Sequence, residues 1–206
     1  MQNPQLKLFH NPQSRSAGVR ILLEELGLAA EFELVDFKAP EKSSALLAAN
    51  PLGKVPTLIA DGVVVTEQVA IYQFLAELKP EAGLSPAVGE PLRGSYLRAL
   101  AFYGSSFEPA MIDKALKRDA GQRGMSPYGD VAAVEQWLRS QLSVGPWFLG
   151  ERFTAVDCLW GTALGWMTQF GLLEATAEIS AYLQRFAARP AVQRARALDQ
   201  ALLAGQ

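Results

Sequence analysis

Within the run from Asn50 to Leu58, Val55 stands before Pro56, and one hairpin later come Thr66, Glu67 and Gln68. A β-branched residue ahead of a ring without an N–H suits a tight corner, since only proline makes a cis peptide cheap, about 0.5–1 kcal/mol from trans. At such a corner the backbone of Val55 can pair with an extended ligand. Thr66 precedes Ile71, Leu75 and Leu78 at helical spacing, which predicts a helix from about Glu67 with Thr66 as its cap. The unsatisfied N–H groups of that first turn form an anion site. Together the two stretches suit a small extended peptide held by its backbone and a carboxylate. An ordinary loop, hairpin and cap is the plain alternative.

The elements that must position these residues can be read on both sides. Leu6 to Phe9 predicts a strand, and Val19, Leu22, Leu23 and Leu26 share one face of the helix that follows Asn11 to Ser16. Gly27 suits the helix exit, and Phe32 to Phe37 alternates as a second strand, so a parallel crossover is implied. A short helix over Ser43 to Ala49 stops at Asn50-Pro51. Thr57 to Ile59 and Val63 to Val65 flank Asp61-Gly62, a dipeptide suited to a type I′ hairpin turn. With the helix from Glu67 to Lys79 the order is βαβ, α, ββα, an α/β thioredoxin-like N-terminal domain over residues 1–79.

Residues 80–91 carry three prolines and two glycines and predict a linker. Beyond it, 92–206 predicts an all-α C-terminal helical domain. A long helix runs to about Lys117, bent at Pro109, and another begins near Ser126-Pro127 and runs to Ser143. Thr154 and Asp157 have the spacing of a capping box, with Phe153 as its staple. Pro190 marks a last helix start. Cys158 predicts a small buried hydrophobe, and His10 a loop residue.

The chain has 206 residues, 50% of them hydrophobic, and a net charge of −2 without long charge runs. No basic patch with interleaved aromatics appears, which argues against nucleic acid as a partner. Nowhere do about eighteen apolar residues run together, so no membrane span is expected and cytoplasmic residence is. One cysteine and one histidine exclude an internal disulfide, a two-cysteine redox motif and a histidine-based zinc cluster, so no metal is expected.

Four segments together resemble the glutathione transferase family, in its soluble, bacterial, serine-type form. They are Ser14-Arg15-Ser16 leading into Val19 to Gly27, Asn50 to Leu58, Glu67 to Leu75, and Gly150 to Asp157. The resemblance covers nearly the whole chain and implies a homodimeric detoxification enzyme. Its N-terminal domain would hold glutathione as co-substrate and its helical domain a small apolar electrophile. It implies that the cysteinyl backbone of glutathione pairs with Val55 ahead of a cis Pro56. The γ-glutamyl carboxylate then rests by Glu67 and Gln68, and Lys42 and Lys54 suit the glycyl carboxylate. The family commonly has serine where Gln68 stands, a departure that keeps a non-catalytic interaction or regulatory module in view as an alternative.

The implied chemistry is activation of the glutathione thiol, whose ordinary pKa is about 8.5. The resemblance puts the activating group among Gln13, Ser14, Arg15 and Ser16. No tyrosine precedes Tyr72 and no cysteine precedes Cys158, which leaves a serine. Ser14 is free to donate, whereas Ser16 is placed to cap the helix, and Arg15 adds positive potential. Tyr103, Phe107 and Met111 fall at i, i+4, i+8 and are expected in the electrophile's pocket, or in plain core. A glutathione-dependent isomerase or dehalogenase is the remaining alternative. The isomerase branch typically shows Ser-Ser-Cys before the first helix, which Ser14-Arg15-Ser16 does not match.

Overall fold

A computed structural model describes residues 4–41 and 43–205, so Lys42 lies outside the described residues. The chain divides into two compact units, Met1–Ala82 with Ala188–Gln206, and Gly83–Ala187.

The first unit is built on a four-stranded sheet in the order β2-β1-β3-β4. β1 (Leu6–His10) pairs parallel with β2 (Glu31–Leu34) and antiparallel with β3 (Thr57–Ala60), which pairs antiparallel with β4 (Val63–Val65). The helix α1 (Ser16–Leu26) makes the expected crossover and ends at Gly27, whose φ of 61° only glycine adopts freely. Asp61 and Gly62 have φ of 47° and 82°, the two positive values that a type I′ turn requires. α2 (Ser44–Ala49) is capped by Ser43, whose Oγ accepts from Leu46 N at 3.3 Å. Its Leu46 is fully buried and joins Phe9, Val35 and Val55 in one apolar cluster.

Three boundaries differ from expectation, the first being that β2 ends at Leu34 rather than Phe37. At α3 (Gln68–Leu78) the N-cap position is Glu67 rather than Thr66 and carries no side-chain cap bond, because the chain turns at Glu67 itself, with φ 65° and ψ 118°. The last helix, α9 (Pro190–Ala204), belongs to this first unit and packs on α1. Arg189 grips Glu25 through Nε and Nη2 at 2.5 and 2.8 Å, and Arg194 Nε meets Glu24 at 3.1 Å. The first unit thus takes back residues 188–206 after the second has ended at Ala187.

The second unit is helical, with α4 (Arg93–Phe102), α5 (Glu108–Leu116), α6 (Val131–Leu142), α7 (Ala155–Gln169) and α8 (Ala177–Ala187). Between α4 and α5 the chain makes a π turn over Tyr103–Phe107. Pro109 lacks an N–H and its ring crowds the carbonyl four residues earlier, and the wider turn accommodates both without a break. α6 starts later than Ser126-Pro127, because Asp130 is its cap and accepts from Ala133 N at 2.7 Å. Trp160 is the centre of this core. Phe148 stacks on it at 4.5 Å, Phe107, Tyr103 and Trp137 surround it at 4.7, 5.5 and 5.9 Å, and its Nε1 donates to Ala99 O at 3.2 Å. At Gly161 a Cβ would lie 2.6 Å from the Phe186 ring, so only glycine admits that ring.

The Thr154–Asp157 capping box forms as expected. Asp157 is fully buried and accepts from Phe148 N and Thr154 N at 2.8 Å and from the Tyr182 hydroxyl at 3.0 Å. Burial nevertheless pushes its carboxyl up from 3.8 to about 6. Between those values the folded chain binds more protons than the unfolded one, so this group's contribution to stability falls as pH rises through about 6, by up to roughly 3 kcal/mol. Asparagine cannot titrate. The advantage of wild type over Asp157→Asn in thermal midpoint is therefore expected to shrink between about pH 4.5 and about pH 7.5, and a constant gap would contradict the assignment.

Candidate functional site

The site-bearing residues of the first unit gather where β1 hands over to α1. Asn11 shapes that turn. Its Oδ1 accepts from Gln13 N at 2.8 Å, its carbonyl accepts from Ser14 N at 3.0 Å, and its Nδ2 donates to Val35 O at 2.8 Å, which ties the turn to the chain beyond β2. Gln13 is exposed and Arg15 half-buried. Ser14 is 7% exposed, with its Oγ 2.8 Å from Asn11 O and 2.7 Å from Ser16 Oγ, and it accepts from Ser16 N at 3.2 Å.

Ser16 departs from its expected role as helix cap. It is the first residue of α1, and its fully buried Oγ turns back to accept from Asn11 N at 3.0 Å and to meet His10 Nδ1 at 2.8 Å. His10 departs too, being the buried end of β1 rather than a loop residue. Its Nε2 meets Asp199 Oδ1 on α9 at 2.9 Å, and Arg20 Nη1 reaches the same oxygen at 2.6 Å. The Arg20 guanidinium also lies 4.4 Å above the Phe32 ring. Asp199 and Arg20 escaped sequence reasoning. A charged residue spaced into the buried face of each helix is the only signal that pointed to them.

The second part of the site is the corner at Val55, where the Val55–Pro56 peptide is cis as expected. Asn50 holds this corner. Its Nδ2 donates to Lys54 O and Thr57 Oγ1, both at 3.1 Å, and Thr57 Oγ1 donates to Lys54 O at 2.8 Å. Among the described residues the N–H and C=O of Val55 have no partner, and Lys54 is exposed. The register Phe9↔Thr57 sets this corner beside the end of β1.

The third part is the start of α3. Gln68 Nε2 reaches Arg15 O at 3.5 Å, which joins this helix start to the turn before α1, and Gln68 Oε1 is buried without a partner among the described residues. The positive φ of Glu67 is a strained value for a residue with a side chain, of a kind that clusters at ligand sites. The structure thus brings Ser14, Arg15, Ser16, Val55, Pro56, Glu67 and Gln68 into one unit.

Tyr103, Phe107 and Met111 lie in the other unit and are packed core. They are 2%, 0% and 0% exposed, and the two rings rest on Trp160, so no face of the stripe is left to line a pocket. Cys158 is buried in α7, as expected of a small hydrophobe. Among the described residues no three His, Cys, Asp or Glu side chains come together as metal ligands, and no helix is long and apolar enough to cross a membrane.

Comparison with known proteins agrees with this architecture. The family model for the glutathione S-transferase N-terminal domain matches residues 4–77, and that for the C-terminal domain matches residues 129–190. The glutathione S-transferase GstA of Escherichia coli O157:H7 is 30% identical, over 91% of this chain and 96% of its own. The crystal structure of a glutathione transferase from Methylococcus capsulatus superposes with a TM-score of 0.81 at 33% identity, covering 95% of this chain and 98% of the other. A sphingomonad glutathione S-transferase, solved in complex with glutathione, gives a TM-score of 0.79 at 30% identity, covering 94% and 98%. On this evidence the chain belongs to the glutathione S-transferase family and is an enzyme of that type.

Proposed function

We propose that this chain binds glutathione in an extended form on its first unit, ionises the thiol with Ser14 as hydrogen-bond donor, and transfers the sulfur to a small apolar electrophile. The cysteinyl backbone pairs with Val55. The γ-glutamyl carboxylate takes the free N–H groups of the first turn of α3, beside Glu67, and Lys54 and Lys42 serve the glycyl carboxylate. Gln13 and Arg15 complete the rim around the sulfur, and Ser16 backs Ser14 from within, its Oγ 2.7 Å from that of Ser14. The family resemblance supports a homodimer and cytoplasmic residence.

The observation that carries this reading is the set of polar atoms without partners among the described residues, namely the Val55 N–H and C=O and the buried Oε1 of Gln68. An unmade hydrogen bond at a buried group costs about 1–3 kcal/mol, and a bound peptide removes that cost. Gln68 also gains a role that the serine more usual in the family would not fill. Its Nε2 is turned to Arg15 O, so its Oε1 is free to accept from the γ-glutamyl ammonium.

Calorimetric titration tests this. Glutathione is expected to bind, and cysteinylglycine, which lacks the γ-glutamyl group, to bind at least about tenfold more weakly, since a hydrogen bond to a charged group contributes about 1.5–3 kcal/mol. No heat of binding with glutathione at millimolar concentration would overturn the proposal and favour a non-catalytic module.

A further inference from the structure

The hydroxyls at the start of α1 form a wire that ends on the chain's single histidine. Ser14 Oγ and Ser16 Oγ are 2.7 Å apart, Ser16 Oγ and His10 Nδ1 2.8 Å, and His10 Nε2 and Asp199 Oδ1 2.9 Å. Its direction follows from which atoms can donate. A carboxylate only accepts, so the contact with Asp199 places a proton on His10 Nε2 and leaves Nδ1 of a neutral ring as an acceptor. Ser16 therefore donates to Nδ1. Its oxygen already accepts from Asn11 N, and the lone pair that remains faces the Ser14 hydroxyl. The Ser14 oxygen in turn accepts from Ser16 N and keeps one lone pair for a further donor. The Asn11 carbonyl lies 2.8 Å from Ser14 Oγ and 3.1 Å from Ser16 Oγ. It can hold either hydroxyl proton but, as an amide oxygen, it is too weak a base to carry one away.

We infer that Ser14 and Ser16 relay the proton of the glutathione thiol to His10, so that the protein itself keeps the proton when the thiol ionises. This deepens the function proposed above and rests on it. The step balances within the site. The S–H bond breaks as its proton passes to Ser14 Oγ, the Ser14 proton passes to Ser16 Oγ, and the Ser16 proton passes to His10 Nδ1. The products are a thiolate accepting a hydrogen bond from Ser14 and an imidazolium held between Ser16 and Asp199. The charged groups facing His10 from the packed elements are Asp199 on α9 and, through the same carboxylate oxygen, Arg20 on α1. β2 presents the Phe32 ring edge-on at 5.4 Å. Asp199 stabilises the imidazolium directly, and Arg20 holds Asp199 in place.

The test counts protons on the full chain. Titration with glutathione in buffers of different ionisation enthalpy at one pH gives the protons released, and ultraviolet absorbance of the thiolate gives the thiols ionised. Wild type is expected to release less than half a proton per thiolate formed. Ser16→Ala, which cuts the wire and leaves Ser14, His10 and Asp199 in place, is expected to release nearly a full one. Release of a full proton by wild type, with glutathione bound and ionised, overturns the relay while the proposed function stands. Equally low release from both proteins also overturns it, because the acceptor is then not His10. Failure of wild type to bind glutathione overturns both.

Discussion

Replacing Ser14 by alanine is expected to lower kcat/KM for conjugation of glutathione to a generic aryl halide by about 10- to 100-fold while the protein stays folded. The magnitude follows from one hydroxyl donating to a charged sulfur, about 1.5–3 kcal/mol, which weakens the thiol proton by one to two pKa units. The interaction strengthens as charge develops on sulfur, so the loss falls chiefly in kcat, with KM for glutathione held by Val55, Glu67 and Gln68. The fold has little at stake. Ser14 Oγ makes only neutral contacts within its own turn, and each such bond contributes about 1 kcal/mol. Thermal unfolding beside the kinetics separates the two effects. A Ser14→Ala enzyme with full activity would remove Ser14 from the chemistry.

The largest expected effect on stability is at Trp160. Trp160→Ala should cost about 3–5 kcal/mol and lower the thermal midpoint by about 10 °C, values typical of a large aromatic taken from a closed core in a chain of this size. Trp160 is fully buried with four aromatic neighbours, so no single side chain can move in to fill the void. It also removes the indole N–H from Ala99 O, which keeps only its helical bond from Tyr103 N. Trp160→Phe keeps most of the ring contacts and loses the N–H, and should cost roughly half as much. A midpoint within 3 °C of wild type for Trp160→Ala, a shift worth about 1 kcal/mol, would show that the cluster is not the core of the second unit.

What the sequence disclosed divides by range. Gly27, Asp61-Gly62 and Val55-Pro56 are read correctly because each is a local stereochemical requirement, fixed by two or three adjacent residues. The order of strands and helices follows from periodicity. Thr66 loses the helix start to Glu67 because a positive φ in a residue with a side chain has no composition signal. Ser126-Pro127 loses to Asp130 for a simpler reason, since several capping residues crowd that turn and only packing chooses among them. The polar cluster at His10 lies furthest from what a sequence shows, because Asp199 is 189 residues away and no local pattern links the two. The Tyr103, Phe107 and Met111 stripe had the spacing of both a pocket and a core, and the position of Trp160 decided for core.

The return of α9 to the first unit has a consequence for the order in which the chain is made. During synthesis the sheet and α1 leave the ribosome early, yet the helix that covers α1 and supplies Asp199 follows the whole of the second unit. Until then Arg20 and His10 lack their shared carboxylate, and the apolar side of α1 lacks its cover. The helical unit between them, Gly83–Ala187, has all its own segments in hand sooner. The unit that comes first in this sequence is thus completed after the second, and its buried polar chain closes only once α9 has been made.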